Sequence, residues 1–263
     1  MLSVRGLVCG YDSRFFLKDV CLEVGRGELL GVIGPNGSGK TTLIRAISRV
    51  LKPAKGEVLL DGRNIREMDL KAFAKKVAVV SQEARAGLMR VQEYVLLGRI
   101  PHYRGLQFLE TKRDLEAAQK AMSMTGILHL KNRPLREMSG GERQLALMAR
   151  ALAQEPELLL LDEPVAHLDI AHQVAVLDLV KRLNKELGLT VVIVLHELNL
   201  ASEFCHRLLL LDRGRVHSMG LPEEVLTQGI LKEVYKTGVL VRRHPISSRP
   251  YIIVVSNERE NTS

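Results

Sequence analysis

Residues 28–42 read Glu-Leu-Leu-Gly-Val-Ile-Gly-Pro-Asn-Gly-Ser-Gly-Lys-Thr-Thr. A short apolar run, Glu28–Ile33, meets Gly34, and Gly34 to Thr41 fits the pattern G-x-x-x-x-G-K-[ST]. Glycines let a backbone wrap a chain of phosphates so that successive N–H groups point inward. Lys40 then reaches the outer phosphates, and the Thr41 hydroxyl is placed to ligate a divalent cation. A helix is expected from Thr41 to Leu51, stopped by Pro53, with its positive dipole end aimed at the same phosphates. Strand, loop and helix in that order are the start of a parallel α/β sheet.

Working outward, further β-type runs are Val77–Val80, Leu158–Leu161, Val191–Leu195 and Leu208–Leu211, separated by longer helical patterns. Polar residues follow three of them at once: Ser81-Gln82, Asp162-Glu163 and His196-Glu197. In an open parallel sheet ligands bind outside the carboxyl ends of the strands, so these tips are expected to share one crevice with Gly34–Thr41. Residues from about 83 to 155 read as mostly helical with no convincing strand, a helical insertion into the sheet domain. Ile170–Leu187 reads as a helix with Ile170, Val174, Leu177, Val180, Leu183 and Leu187 on one face and Gly188 as its C-cap. Gly56–Gly62 and Gly214–Gly220 read as turns beside short antiparallel strands, and the pattern weakens after Leu221.

Leu158–Leu161 is apolar at every position, as suits a strand buried on both faces. Asp162 at its tip can hold Mg²⁺, directly or through water. Glu163 can orient or deprotonate an attacking water. Ser139-Gly140-Gly141-Glu142 opens another helical run with Ser at N-cap and Glu at N3, a capping box. Two glycines weaken a first helical turn, so their presence implies that something approaches the backbone closely. Such a tip is a second phosphate-binding device, and since Gly34–Thr41 already cradles one triphosphate, it is suited to the nucleotide of another subunit.

The chain has 263 residues, 46% apolar and 26% charged, with a formal charge of +8 and three cysteines. That apolar fraction excludes an intrinsically disordered chain. No apolar stretch approaches the roughly 18 residues of a membrane span. Cys9, Cys21 and Cys205 lie far apart, which supports neither a disulfide framework nor a zinc site, and implies a reducing compartment. No charged segment followed by an apolar one opens the chain, so no secretory signal is expected. The basic surplus suits anionic partners, but aromatics are only 4% and Trp is absent, which argues against nucleic acid. His167 and His172, five apart, do not share a helix face and are rejected as a metal pair.

The phosphate loop, Gln82, the Ser-Gly-Gly-Glu turn, the Leu-rich Asp-Glu strand and His196 occur in the order and spacing of ABC-transporter nucleotide-binding subunits, which the chain resembles from about Leu2 to Pro250. The resemblance implies a P-loop NTPase of ABC type: a mostly parallel sheet, a small antiparallel β part and an inserted helical subdomain. One nucleotide-binding domain would cover residues 1–263, with an ATPase core at about 1–82 and 156–240, the helical subdomain at about 83–155 and a tail at about 241–263. It implies ATP on Gly34, Pro35, Asn36, Gly37, Ser38, Gly39, Lys40, Thr41 and Thr42, with Tyr11 stacked on adenine and Phe15 and Phe16 as rivals. Mg²⁺ would sit on Thr41, Gln82 and Asp162. Glu163 would be the catalytic base, and Lys40, Gln82 and His196 would serve the reaction. Ser139, Gly140, Gly141 and Glu142 would meet the ATP of a second copy, and Asp169 would couple the two sites. Met138, Leu145 and Val165 depart from residues common in the family, and none is at a phosphate-contacting position.

Leu97–His102, Leu168–Gln173, His196–Ala201 and Gly220–Thr227 resemble segments of the ATPases of iron-siderophore, haem and cobalamin importers. The implied partners are integral membrane permease subunits, a second copy of the chain and a periplasmic or extracellular solute-binding protein. The implied place is the cytoplasmic face of the cell membrane. The short stretch after Pro250 leaves no room for an added regulatory β-domain. The competing expectation is an ABC-type ATPase not tied to a transporter, acting in translation, DNA repair or iron-sulfur assembly. A P-loop kinase is a remoter alternative, against which the Ser-Gly-Gly turn argues.

Overall fold

The computed structural model describes residues 1–11, 15–81, 88–105, 107 and 109–255. In chain order the elements are β1 (Leu2–Tyr11), β2 (Phe15–Val24), β3 (Leu29–Ile33), α1 (Lys40–Ile47), β4 (Lys55–Leu60), β5 (Arg63–Asn64), α2 (Leu70–Lys76), β6 (Val77–Val80), α3 (Val91–Leu96) and α4 (Lys112–Met124). There follow α5 (Gly140–Ala153), β7 (Leu158–Asp162), α6 (Ile170–Leu187), β8 (Thr190–Val194), α7 (Leu198–Phe204), β9 (Arg207–Asp212), β10 (Arg215–Gly220), α8 (Pro222–Val225), α9 (Gln228–Tyr235), β11 (Val239–Arg243) and β12 (Pro250–Val254). Two compact units result: Met1–Asn64 with Val192–Ser263, and Ile65–Val191, the boundary falling inside β8.

In the first unit an antiparallel sheet runs β2-β1-β4-β5. Its strand β1 buries Leu2 and Val4, then Leu7 and Cys9, an alternation shifted by one residue at the bulge around Gly6, whose φ is 55°. The other strands run in the order β10-β9-β3-β8. All five residues of β3 and all five of β8 are buried, which is why both read as unbroken apolar runs. β3 and β9 pair in parallel, with Ile33 opposite Leu210. β9 turns back into β10 through Arg213 and Gly214, both at positive φ (45° and 80°), the requirement of a tight hairpin turn. The helix expected from Thr41 to Leu51 is shorter. α1 ends at Ile47 because the chain reverses at Arg49, whose φ is 64°, before Pro53 is reached.

The weak pattern after Leu221 conceals α8, α9 and an antiparallel β11–β12 hairpin, with Val239 opposite Val254. These elements are too short to show a period, and their apolar residues face neighbours far away in sequence.

In the second unit β6 and β7 pair in parallel, Val77 opposite Leu158 and Val80 opposite Leu161. Among the described residues between them only helices occur, apart from one isolated bridge between Arg90 and Pro134. The Leu97–His102 segment is a 3₁₀ turn laid against α5. A Cβ on Gly98 would stand 2.1 Å from the Arg150 carbonyl, so only glycine lets the two backbones meet. Arg99, 1% exposed, is held there by charge. Its Nε donates to Asp114 Oδ1 at 3.1 Å, and one Nη donates to the Ala153 carbonyl (2.6 Å) and to Glu155 (2.8 Å). Burial works against the Asp114 charge. The Thr111 hydroxyl and N–H, Arg99 and Gln107 outweigh it and hold that carboxyl at about 2.

α6 begins on Asp169, whose carboxylate accepts the His172 N–H at 2.9 Å, and ends on Gly188 at φ 64°, the expected C-cap. Its buried stripe differs from the expected one. Val176, Leu177, Leu179, Val180, Leu183 and Asn184 are buried, whereas Ile170, Val174 and Leu187 are exposed. An 18-residue helix is about 27 Å long and a five-residue strand about 17 Å, so the helix ends outrun the strand layer. A Cβ on Gly188 would meet nothing within 4 Å, so Gly188→Ala incurs only the left-handed backbone penalty. The expected loss is about 1 kcal/mol in urea unfolding.

Candidate functional site

In the first unit the phosphate loop bridges β3 and α1. Gly34 has φ 147°, and a Cβ there would stand 2.1 Å from the Leu211 carbonyl of β9, so the neighbouring strand fixes glycine at the loop's first position. Gly39, at φ 108°, swings the chain into α1. Lys40 is 5% exposed and donates its Nζ to the Gly34 carbonyl (2.9 Å) and the Pro35 carbonyl (3.0 Å), spanning the loop from within. Ser38 is 2% exposed, and its Oγ has no hydrogen-bond partner among the described residues. A buried orphan hydroxyl is costly unless a ligand completes it. Thr41 is half-buried and Thr42 buried, while Asn36 and Gly37 form an exposed rim.

The adjacent strand tip belongs to β8. Leu195 donates its N–H to the Val32 carbonyl of β3 at 3.1 Å, and exposed His196 follows directly. Tyr11 ends β1 and is 41% exposed. Its hydroxyl accepts from Arg45 of α1 at 2.8 Å, and the guanidinium carbon lies 5.8 Å from the ring centroid. The tyrosine is thus tethered to the helix that the phosphate loop opens. The Phe15 and Phe16 side chains and Gln82 lie outside the described residues.

In the second unit Asp162 ends β7 and is half-buried. The β6–β7 register puts Ser81 and Asp162 at neighbouring tips. Glu163 has φ 54° and His167 φ 63°, two non-glycine residues in the left-handed region within one short loop. Such backbone costs about 1 kcal/mol or more per residue and gathers at functional loops. The tip of α5 is capped as expected: Ser139 Oγ accepts the Glu142 N–H (3.2 Å), and Glu142 returns a carboxylate to the Ser139 N–H (2.8 Å). That backbone hydrogen bond, chiefly, holds the Glu142 carboxyl below its usual range. Glu142 therefore fastens the tip on which Ser139 stands.

One pairing was not legible in the sequence. A Cβ on Gly141 would stand 2.3 Å from Cδ2 of His172, so this glycine makes room for a histidine ring as well as for any ligand, while Gly140 has only Leu168 within 4 Å, at 3.8 Å. The same ring places Nδ1 2.8 Å from both Asp169 oxygens. The His172 N–H and ring hold the Asp169 carboxyl below its ordinary value. His172 thus links the α5 tip to the loop containing Asp169. The usable signal was the Asp-x-x-His spacing across a helix start.

A glycine-walled loop between a buried parallel strand and a helix, with an inward lysine, defines a P-loop nucleotide-binding protein. Residues 17–166, more than half of the chain, match the ABC transporter family. The chain is 39% identical to the iron(3+)-hydroxamate import ATP-binding protein FhuC of Bacillus subtilis (strain 168), over 98% of this chain and 97% of that one. It is 37% identical to the ferric enterobactin transport ATP-binding protein FepC of Escherichia coli (strain K12), over 98% and 95%. A solved metal-chelate type ABC transporter in an inward-facing conformation superposes with a TM-score of 0.85 at 27% identity, covering 98% of both chains. The chain belongs to the ABC transporter family and has the fold of its ATPase cassettes.

Proposed function

We propose that this chain is the ATP-hydrolysing subunit of a membrane importer for an iron-siderophore, haem, cobalamin or related metal chelate. Its similarity to import ATP-binding proteins along nearly the whole length, the two named above among them, carries this reading. Those relatives do not favour an ABC-type ATPase outside transport. In this reading residues 1–82 and 156–240 form the ATPase core and 83–155 a helical subdomain. Tyr11 stacks on adenine, and Gly34–Thr42 wrap the phosphates. Ser38 Oγ gains the partner it lacks, and Lys40 turns from the Gly34 and Pro35 carbonyls to the β- and γ-phosphate oxygens.

Thr41, Asp162 and Gln82 would hold Mg²⁺. Few protein ligands are needed because that ion takes one or two carboxylates together with substrate phosphates. Bound there, it would neutralise developing charge on the phosphate oxygens. Glu163 accepts a proton from the attacking water as the water oxygen bonds to the γ-phosphorus. The bond to the bridging oxygen breaks, and its electron pair leaves on ADP. His196 hydrogen-bonds the γ-phosphate. Ser139, Gly140 and Gly141 of a second copy close over the same phosphates, with Glu142 bracing that tip and Asp169 linking the two sites.

No helix among the described residues is long and apolar enough to cross a membrane. The chain would work at the cytoplasmic face of the cell membrane, bound to permease subunits fed by a solute-binding protein. Affinity capture from detergent-solubilised membranes tests this. Recovery of a polytopic membrane protein, together with loss of chelate uptake when Lys40 is replaced by Ala, is the expected result. Capture of only water-soluble partners, with uptake intact, would overturn it.

A further inference from the structure

The turn between β9 and β10 has no part in the roles assigned above, yet it is bonded to the phosphate loop. Gly214 donates its N–H to the Ser38 carbonyl at 3.1 Å, and its own carbonyl accepts the Lys18 N–H of β2 at 2.7 Å. The Leu211 carbonyl, on the strand that leads into this turn, fills the space beside the Gly34 α-carbon. One hairpin thus braces the loop at both Gly34 and Ser38.

A peptide unit is planar and trans, so its C=O and N–H point in opposite directions. With the Ser38 carbonyl pinned to the turn, the Gly39 N–H is aimed away from the turn. Rotated the other way, the same unit would present an oxygen where it now presents a hydrogen. That rotation is open to this unit because a glycine follows it: Gly39 stands at φ 108°.

The support is itself anchored on both sides. β9 pairs in parallel with β3 from Leu30 to Ile33. α7, which leads into β9, is fastened to β12 by the Asn199 amide: Nδ2 donates to the Ile252 carbonyl (3.1 Å), and Oδ1 accepts the Ile252 N–H (2.8 Å). Lys18 belongs to β2, which pairs with β1 as far as Tyr11 opposite Phe15. The turn therefore stands between the sheet that carries Tyr11 and the loop that holds Lys40.

We propose that Gly214 is a positioning residue for the phosphate loop. Its N–H holds the Ser38–Gly39 peptide in the orientation that offers the Gly39 N–H to a bound phosphate, and its carbonyl ties that setting to the sheet bearing Tyr11. The inference rests on the nucleotide-binding reading above. A loop already set binds phosphates without reorganising first, so losing this N–H should weaken nucleotide binding by about fivefold, the size of one hydrogen bond's net contribution.

The experiment removes that N–H alone. Residues 205–263 are synthesised with glycolic acid in place of Gly214, which exchanges the N–H for an ester oxygen, and are ligated at the native Cys205 to give the full-length chain. The same ligated chain with glycine is the reference. ADP affinity is measured by calorimetry, steady-state ATP turnover is followed, and both proteins are melted. The expected result is a dissociation constant for ADP and a KM for ATP each raised about fivefold, a smaller change in kcat and a melting temperature near that of the reference. A recombinant Gly214→Val chain, whose β-branched side chain is a poor occupant of φ 80°, should lose at least as much ADP affinity. An ester chain or a Gly214→Val chain that binds ADP as the reference does, whatever its melting temperature, overturns the positioning role alone. A reference chain that binds no ADP overturns the nucleotide reading beneath it.

Discussion

Replacement of Glu163 by Gln is expected to lower ATP turnover by about two to four orders of magnitude while leaving ATP binding in place. The amide has the size of the carboxylate, so neither the turn after β7 nor the φ of 54° at this residue needs to change. What it loses is the capacity to take a proton from water. Hydrolysis stalls with ATP intact, and two chains, each offering its Ser139 tip, should remain closed on two nucleotides. Phosphate release and gel filtration in ATP read the two halves of this expectation. Turnover within about tenfold of the parent, or a monomer in saturating ATP, would remove Glu163 from the role of base.

The second large effect concerns stability. Arg99→Ala should cost about 3–5 kcal/mol, because it leaves the buried Asp114 carboxylate without its cation and two acceptors near the end of α5 without their donor. Replacing Arg99 and Asp114 together by Met and Leu should recover much of that loss, since the pair is removed rather than broken. The pH dependence follows from Asp114, held at about 2 against an ordinary 3.8. Between these values the unfolded chain binds more protons than the folded one. The pair's contribution is therefore complete above about pH 4 and is lost as pH falls toward 2. In Arg99→Ala the folded carboxyl is no longer depressed so far, and this acid-sensitive window should shrink. Urea unfolding across pH 2–6 separates the cases. An Arg99→Ala chain as stable as the parent would mean that the bonds around Arg99 contribute nothing net.

The parts of this molecule that could be read in advance share a property: their signal is local. β3, β7 and β8 are buried on both faces and so are written as apolar runs. The phosphate loop, the Ser139–Glu142 cap and the Asp169 and Gly188 ends of α6 are fixed by residues a few positions apart. What could not be read depends on distant partners. Asn199 matters because Ile252 is beside it, and Gly98 because α5 passes across it. Helical periodicity overstated the buried face of α6, since a period says which residues align but not how far the covering layer extends. Arg99 carried its segment's message in plain view, but a lone arginine in sequence does not announce that it is buried.

The close fit of the His172 ring against Gly141 gives position 141 two masters. Any added carbon there displaces the imidazole that grips Asp169 before it obstructs an incoming anion. Under the proposed reading, in which this tip meets a second copy's nucleotide and Asp169 links the two sites, a change at Gly141 would injure both, and only a companion change at His172 would tell the two injuries apart.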